Sequence, residues 1–432
     1  RKQSVMNDKN VFSPRILRPE DANQNWRWDR PLASPGFKQV DFETRVDFHR
    51  LRKYRLSRSK NALKNSGLGA LLLFDVNNIR YITGTKIGEW ERDKLCRFAL
   101  LAGDEEPFVW DFGSAAVHHQ QNRCLAGMTG MRGTVPPSVG LMKSHAEEIM
   151  SYLKEAGVAD MPIGLDIAET AMFFELQKAG LNIVDGQQVM LDAREIKNID
   201  EITLLNQAAT MVDGVYHMIW EELKPGVREN EIVALANQML YEMGSDDVEA
   251  INAISGERCS PHPHNFTDRM FRPGDQAFFD ILQSYQGYRT CYYRTFNVGV
   301  ATSEQNDAYI QCREWLDKAI ELIKPGVSTD TVAKVWPKAE EFGFSDEMQA
   351  FGLQFGHGLG LALHERPIIS RLVSLENPME IKTGMVFALE TYCPAKDGVS
   401  AARIEEEVVV TDKGCKVISL FPAEDLPIAN KY

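Results

Sequence analysis

Phe355-Gly356-His357-Gly358-Leu359-Gly360, Leu363-His364-Glu365-Arg366-Pro367, Gly384-Met385-Val386-Phe387-Ala388-Leu389-Glu390 and Arg403-Ile404-Glu405-Glu406-Glu407-Val408-Val409-Val410 follow one another within a chain of 432 residues. Glycines around His357 let a backbone come close to whatever the imidazole binds. Glu390 ends one apolar run and Glu405 starts another. Each is expected at the mouth of a strand, where rigid β structure aims a carboxylate. One histidine and two carboxylates form a hard, oxygen-rich ligand set suited to Mn, Fe, Co or Zn. Singly, a core histidine and two strand-end acids are ordinary; the three together in this order point to a metal site.

Around this stretch the composition is that of a globular protein, with 44% hydrophobic and 25% charged residues and length enough for two or three domains. A net charge of -13 argues against a nucleic-acid partner. No apolar run approaches the ~18–20 residues of a membrane span, and Arg1-Lys2-Gln3-Ser4 lacks a signal-peptide core. Seven dispersed cysteines without a Cys-x-x-Cys pair imply reduced thiols and a cytoplasmic setting.

Residues 1–40, proline-spotted and carrying Trp26 and Trp28, are expected to form an arm. From 41 to 195, strands at Ala70–Phe74, Phe98–Leu101, Pro107–Asp111 and Ile163–Asp166 alternate with helical patterns at Phe42–Ser66, His145–Glu155 and Glu169–Gly180. That alternation predicts an α/β domain. A boundary falls near Arg194-Glu195-Ile196-Lys197-Asn198, and 196–432 forms the second domain. Helices are expected there at Asp200–Leu223, Glu229–Met243, Ser303–Ile323 and Thr329–Phe342. Glu222-Leu223-Lys224-Pro225-Gly226 and Leu322-Ile323-Lys324-Pro325-Gly326 repeat one ending about 100 residues apart, a sign of internal duplication.

The motifs around His357, Glu390 and Glu405 resemble those of the pita-bread metallopeptidase family, which includes methionine aminopeptidase, aminopeptidase P, prolidase and creatinase. Asn77-Asn78-Ile79-Arg80-Tyr81-Ile82-Thr83-Gly84 resembles the N-terminal domain of its prolidase and creatinase branch. The resemblance implies an α+β fold: a pita-bread catalytic domain behind a smaller α/β domain. It makes His357, Glu390 and Glu405 metal ligands, with Asp280 on the strand after Arg272-Pro273-Gly274-Asp275. His264 and His364 become substrate-side histidines. Gly88-Glu89-Trp90-Glu91-Arg92 resembles a segment that caps a partner's pocket, which implies a homodimer.

The pattern breaks at one position. Where the family places an aspartate bridging two ions, this chain has Cys291, within Tyr285-Gln286-Gly287-Tyr288-Arg289-Thr290-Cys291-Tyr292-Tyr293-Arg294-Thr295. One divalent transition metal on Asp280, His357, Glu390 and Glu405 is the expectation; a metal-free site and a Cys291 thiolate ligand are the alternatives. By strand alternation Tyr293 shares the face of Cys291. There it is expected to serve proton transfer or a cationic substrate, with Trp90, Tyr288 and Arg403 on the substrate side. Loss of the bridge and the wealth of tyrosines favour a small-molecule hydrolase or lyase similar to creatinase or the dimethylsulfoniopropionate lyase. An Xaa-Pro dipeptidase and an inactive binding module are the competing readings.

Overall fold

The computed structural model describes residues 45–88, 95, 97–112, 115, 116, 119, 130–134, 142–350 and 355–431. It divides into two units that meet in the chain at Arg194 and Glu195. The arm with Trp26 and Trp28, and Trp90, lie outside the described residues.

In the first unit α1 (Phe48–Ser66) starts at Asp47, whose carboxylate accepts from the amides of His49 and Arg50, and stops at Gly67. Strands β1 (Ala70–Leu73), β2 (Phe98–Ala102), β3 (Phe108–Phe112), β4 (Gly130–Thr134), β5 (Ile163–Leu165) and β6 (Ile183–Asp185) form one mixed sheet in the order β4-β3-β2-β1-β5-β6. Helices α2 (Val76–Thr83), α3 (Met142–Glu155), α4 (Thr170–Lys178) and α5 (Gln187–Arg194) belong to the same unit. The Asn-Asn phrase has a structural use. Asn78 donates to Asp166 Oδ2 (2.9 Å), and Asp166 also accepts from the amides of Phe74 and Asp75, fixing α2 to the end of β5.

The second unit opens with α6 (Ile199–Glu222), capped by Asn198 and Glu201 in a reciprocal box. Then come α7 (Glu229–Met243), β7 (Asp247–Ser255), β8 (Gln276–Tyr285), β9 (Tyr288–Arg289) and β10 (Tyr293–Val298). After α8 (Ser303–Leu322) and α9 (Thr329–Ala333) come β11 (Gly356–Gly358), β12 (Glu365–Ile369), β13 (Val386–Pro394), β14 (Ala401–Val410), β15 (Cys415–Val417) and β16 (Ile428–Ala429). One sheet runs β16-β10-β8-β7, with β9 on β8; the other runs β12-β11-β13-β14-β15.

The Lys-Pro-Gly repeat reflects matching hydrogen bonds in two halves. Gly226 N donates to Phe271 O (3.1 Å) and Phe271 N returns to Val227 O (2.8 Å). Gly326 N donates to Ile381 O (2.9 Å) and Ile381 N returns to Val327 O (2.8 Å). Gly274 and Gly384, at φ +83° and +87°, then donate to Val298 O and Val410 O. Positive φ suits glycine, and each turn launches a strand. Asp280 and Glu390 stand at the same distance beyond those two glycines. The duplication therefore delivers one acid per half.

Three expectations need correction. The helix over Thr329–Phe342 is broken: α9 ends at Ala333 and a 3₁₀ turn covers Ala339–Phe342. Pro337 lies between them, without an amide proton to continue the ladder. Glu390 and Glu405 sit in mid-strand, directly opposite each other across β13 and β14, because both strands run on past the acids through Tyr392 and Ala401. The glycines beside His357 serve strand packing: a Cβ on Gly358 would lie 2.1 Å from the Arg366 carbonyl oxygen of β12.

Alternation explains where the acids point. Phe387, Leu389, Ile404 and Val408 pack in a core with Leu316, Val332 and Trp336 of the helical side. Burying each such side chain contributes about 1.5–3 kcal/mol. Glu390, Arg403, Glu405 and Glu407 alternate with them and so share the other face.

Candidate metal centre

His357, on β11, is fully buried. Its Nδ1 lies 2.9 Å from the Gly358 carbonyl oxygen, so Nδ1 carries a proton and, in the neutral ring, Nε2 presents a lone pair. Nε2 is 3.0 Å from Glu390 Oε1 but off the line of a hydrogen bond, and finds no hydrogen-bond partner among the described residues. Burial pushes the imidazole down, and the Glu390 carboxylate outweighs it and holds it above its ordinary value.

Asp280, on β8, is flanked in register by Asn252 of β7 and Tyr293 of β10. Asn252 Nδ2 donates to Asp280 Oδ2 (3.4 Å) and to the Tyr293 hydroxyl (3.1 Å). Asp280 Oδ1 is buried and unpartnered. Burial pushes this carboxyl up to about 7, with Arg403 opposing. Glu405 is also pushed up, by burial first and then by Glu390. Arg403 Nη2 donates to Glu390 Oε2 (3.2 Å) and Glu405 Oε1 (3.0 Å).

Cys291 enters the same cluster. Its amide donates to Glu407 Oε1 (2.7 Å), and its thiol donates to Glu405 Oε2 (3.6 Å). Burial raises the thiol's pKa, and the Asp280, Glu405 and Glu390 carboxylates raise it further.

A cleft of about 570 Å³ opens onto Glu390 and Arg403, lined also by His262, His264, Phe342, Phe344 and Tyr392. His264 lies at its edge, and partial burial of its imidazole lowers its pKa. His364 is exposed with its ring centroid 4.4 Å from that of His357; burial and His357 lower its pKa to about 4. His262, which the sequence reading did not include in the site, lines the same cleft. Its ring centroid lies 4.0 Å from that of His264 with the planes tilted by 43°, and both its nitrogens are buried without a hydrogen-bond partner among the described residues. The His-x-His spacing was the signal available.

The structure thus brings together Asp280, Cys291, Tyr293, His357, His364, Glu390, Arg403 and Glu405, with His264 at the cleft. It does not bring Tyr288 there: the Tyr288 hydroxyl donates to Glu201 (2.9 Å) at the start of α6. Tyr292 is likewise spent on Asp213. One face of Tyr293 is covered by the Arg403 guanidinium, 4.4 Å from its centroid, so that face is closed to a substrate cation. Trp90 lies outside the described residues.

The donors fit a divalent ion. Ligand atoms of Cys291, His357 and Glu390 lie within 4.8 Å of one another, as do those of Asp280, Cys291 and Glu405. His357 Nε2 and Asp280 Oδ1 are buried polar atoms without hydrogen-bond partners among the described residues, which such an ion would satisfy.

Residues 203–412 match metallopeptidase family M24, and residues 55–196 match the creatinase/prolidase N-terminal domain. Residues 203–412 thus form a metallopeptidase family M24 domain behind a creatinase/prolidase N-terminal domain. The uncharacterized peptidase YqhT of Bacillus subtilis is 25% identical over 86% of this chain and 99% of its own length. The Xaa-Pro dipeptidase of Pyrococcus furiosus is 31% identical over 53% of this chain and 64% of its own. The solved dipeptidase PepE from Mycobacterium ulcerans superposes with a TM-score of 0.72 at 23% identity, over 89% of this chain and 99% of that one, and shows the M24 fold. These findings overturn the expectation of a creatinase-like or dimethylsulfoniopropionate-lyase-like enzyme, since the relatives are peptidases and dipeptidases. Two of the tyrosines behind that expectation are engaged within the protein, Tyr288 by Glu201 and Tyr292 by Asp213. Among the described residues no helix is long and apolar enough to cross a membrane.

Proposed function

We propose that this M24 enzyme hydrolyses the peptide bond of small peptides, Xaa-Pro dipeptides foremost, with one divalent transition metal held by Asp280, His357, Glu390 and Glu405. The observation that carries the reading is the convergence of those four buried donors beside a cleft of about 570 Å³, a volume suited to a small ligand. Dipeptidases among the relatives support it. When bound, the ion polarises the scissile carbonyl and lowers the pKa of a coordinated water.

The protein's own groups do the rest. His264 and His364, held below their ordinary pKa, stay neutral at pH 7 and offer a lone pair or an N–H to the substrate. The Tyr293 hydroxyl accepts from Asn252, so its own proton is directed elsewhere and serves an oxygen developing charge. Arg403 neutralises part of the acid cluster and holds one oxygen of each glutamate in place. Phe342, Phe344 and Tyr392 give the cleft its apolar wall.

A homodimer belongs to the same reading, on the family resemblance of residues 79–92; sedimentation as a monomer at micromolar concentration would remove it. The activity is tested with Gly-Pro, Ala-Pro, Ala-Ala and Pro-Ala under metal-replete conditions. Release of proline from the Xaa-Pro pair above the others supports the proposal, and failure to cleave any of them refutes it.

A further inference from the structure

The position of Cys291 carries an inference that rests on the metallopeptidase reading and goes beyond it. Its sulfur is the atom shared by the two donor groups. It lies within 4.8 Å of the ligand atoms of His357 and Glu390, and within 4.8 Å of those of Asp280 and Glu405. A cysteine that only fills space is packed by hydrocarbon. This one touches a carboxylate oxygen, Glu405 Oε2, at 3.6 Å.

Arg403 decides which oxygens face the sulfur. Its guanidinium takes Glu390 Oε2 and Glu405 Oε1. The other oxygen of each glutamate is turned inward, Glu390 Oε1 to His357 Nε2 at 3.0 Å and Glu405 Oε2 to Cys291 Sγ at 3.6 Å. A tetrahedral ion with bonds of about 2.3 Å to sulfur and about 2.0 Å to oxygen sets those two atoms about 3.5 Å apart. The observed separation, held here by the S–H···O hydrogen bond, is also one that a shared ion could span without moving either residue. The residue is held from both sides of the chain: its amide is fixed on Glu407, and the neighbouring Thr290 hydroxyl donates to the Ile281 carbonyl (2.9 Å).

We propose that Cys291 is a metal ligand, its sulfur joining His357 Nε2 and the carboxylate oxygens, so that the centre takes a thiophilic ion such as Zn²⁺ or Co²⁺ ahead of Mn²⁺. The thiol proton, donated to Glu405 Oε2 in this structure, leaves to solvent as the sulfur–metal bond forms, and no oxidation state changes. Sulfur donors favour Zn²⁺ and Co²⁺, whereas an all-oxygen-and-nitrogen set accommodates Mn²⁺. A single sulfur in place of a bridging carboxylate also leaves a second ion short of ligands, which suits one ion per chain.

The test uses the full chain loaded with Co²⁺, with metal content measured by elemental analysis. The wild type is expected to show a near-ultraviolet thiolate-to-cobalt charge-transfer band that grows with the first equivalent and is lost in Cys291→Ser. Zinc-edge X-ray absorption on the wild type needs no variant and is expected to show a sulfur scatterer at about 2.3 Å. Bound Co²⁺ without the band, or bound Zn²⁺ with only nitrogen and oxygen neighbours, overturns the ligand role and leaves the metallopeptidase reading standing. Absence of any bound Co²⁺ or Zn²⁺ overturns both.

Discussion

Glu390 and Glu405 face each other directly across β13 and β14, and a single nitrogen of Arg403 bonds to both, at 3.2 and 3.0 Å. Like charges in directly opposed positions repel, and here both are buried. Arg403 is the cation that lets the pair persist before any ion binds. Arg403→Met leaves the two carboxylates without it and should cost the metal-free protein about 3–5 kcal/mol. Thermal melts with and without Zn²⁺ are the check: added metal should restore more stability to the variant than to the wild type. Equal melting of both metal-free proteins would contradict this role.

His357→Ala and Glu390→Ala remove two neighbouring donors, whose Nε2 and Oε1 lie 3.0 Å apart. Each should abolish bound metal and turnover while circular dichroism remains that of a folded protein. Unchanged metal content in either variant removes that residue from the centre.

The loop that carries His262 and His264 is pinned by a residue outside the cleft. Glu229, the fully buried first residue of α7, accepts from Ser255 Oγ (2.6 Å), from the Thr267 amide and hydroxyl (2.8 Å each), and from Arg258. Glu229→Gln keeps the shape but loses the charge and an acceptor, at about 1–3 kcal/mol. The loop should loosen, so KM should rise more than kcat falls. A steady-state comparison that finds both constants unchanged would show that the histidines are positioned otherwise.

How much of this was written in the sequence depends on the range of the interaction. Alternation along Leu389-Glu390 and Ile404-Glu405 already puts the acids opposite the core face, and the Lys-Pro-Gly repeat announces two matching halves. The Gly-Asp turn before β8 places Asp280. All of these are short-range patterns. The fate of the tyrosines is long-range: Tyr288 and Tyr292 find Glu201 and Asp213 on a helix far back in the chain, and no local period records that. The same holds for Glu229, whose partners Ser255, Arg258 and Thr267 lie at and beyond the end of β7, and for the enclosure of His262.

Lys197 and Glu365 are another long-range pair, 2.8 Å apart and both buried. Glu365 Oε1 also accepts from the Ala362 amide (3.1 Å), so the ion pair anchors the loop that carries His364. Lys197→Met should destabilise by about 3–5 kcal/mol by stranding the carboxylate. Adding Glu365→Gln should recover a large part of that loss, since the buried charge is gone. Denaturant titration of the four proteins in the cycle measures the coupling, and additive losses would contradict it.

The central claim is that the cluster around Asp280, His357, Glu390 and Glu405 is a metal centre that cleaves small peptides. It is tested most directly by assaying Ala-Pro hydrolysis and metal content on the same sample, before chelation, after chelation and after stepwise return of Zn²⁺ or Co²⁺. The account predicts that turnover disappears with the chelated ion and returns in proportion to occupancy, saturating near one ion per chain. Full hydrolysis by protein stripped of transition metal would contradict it.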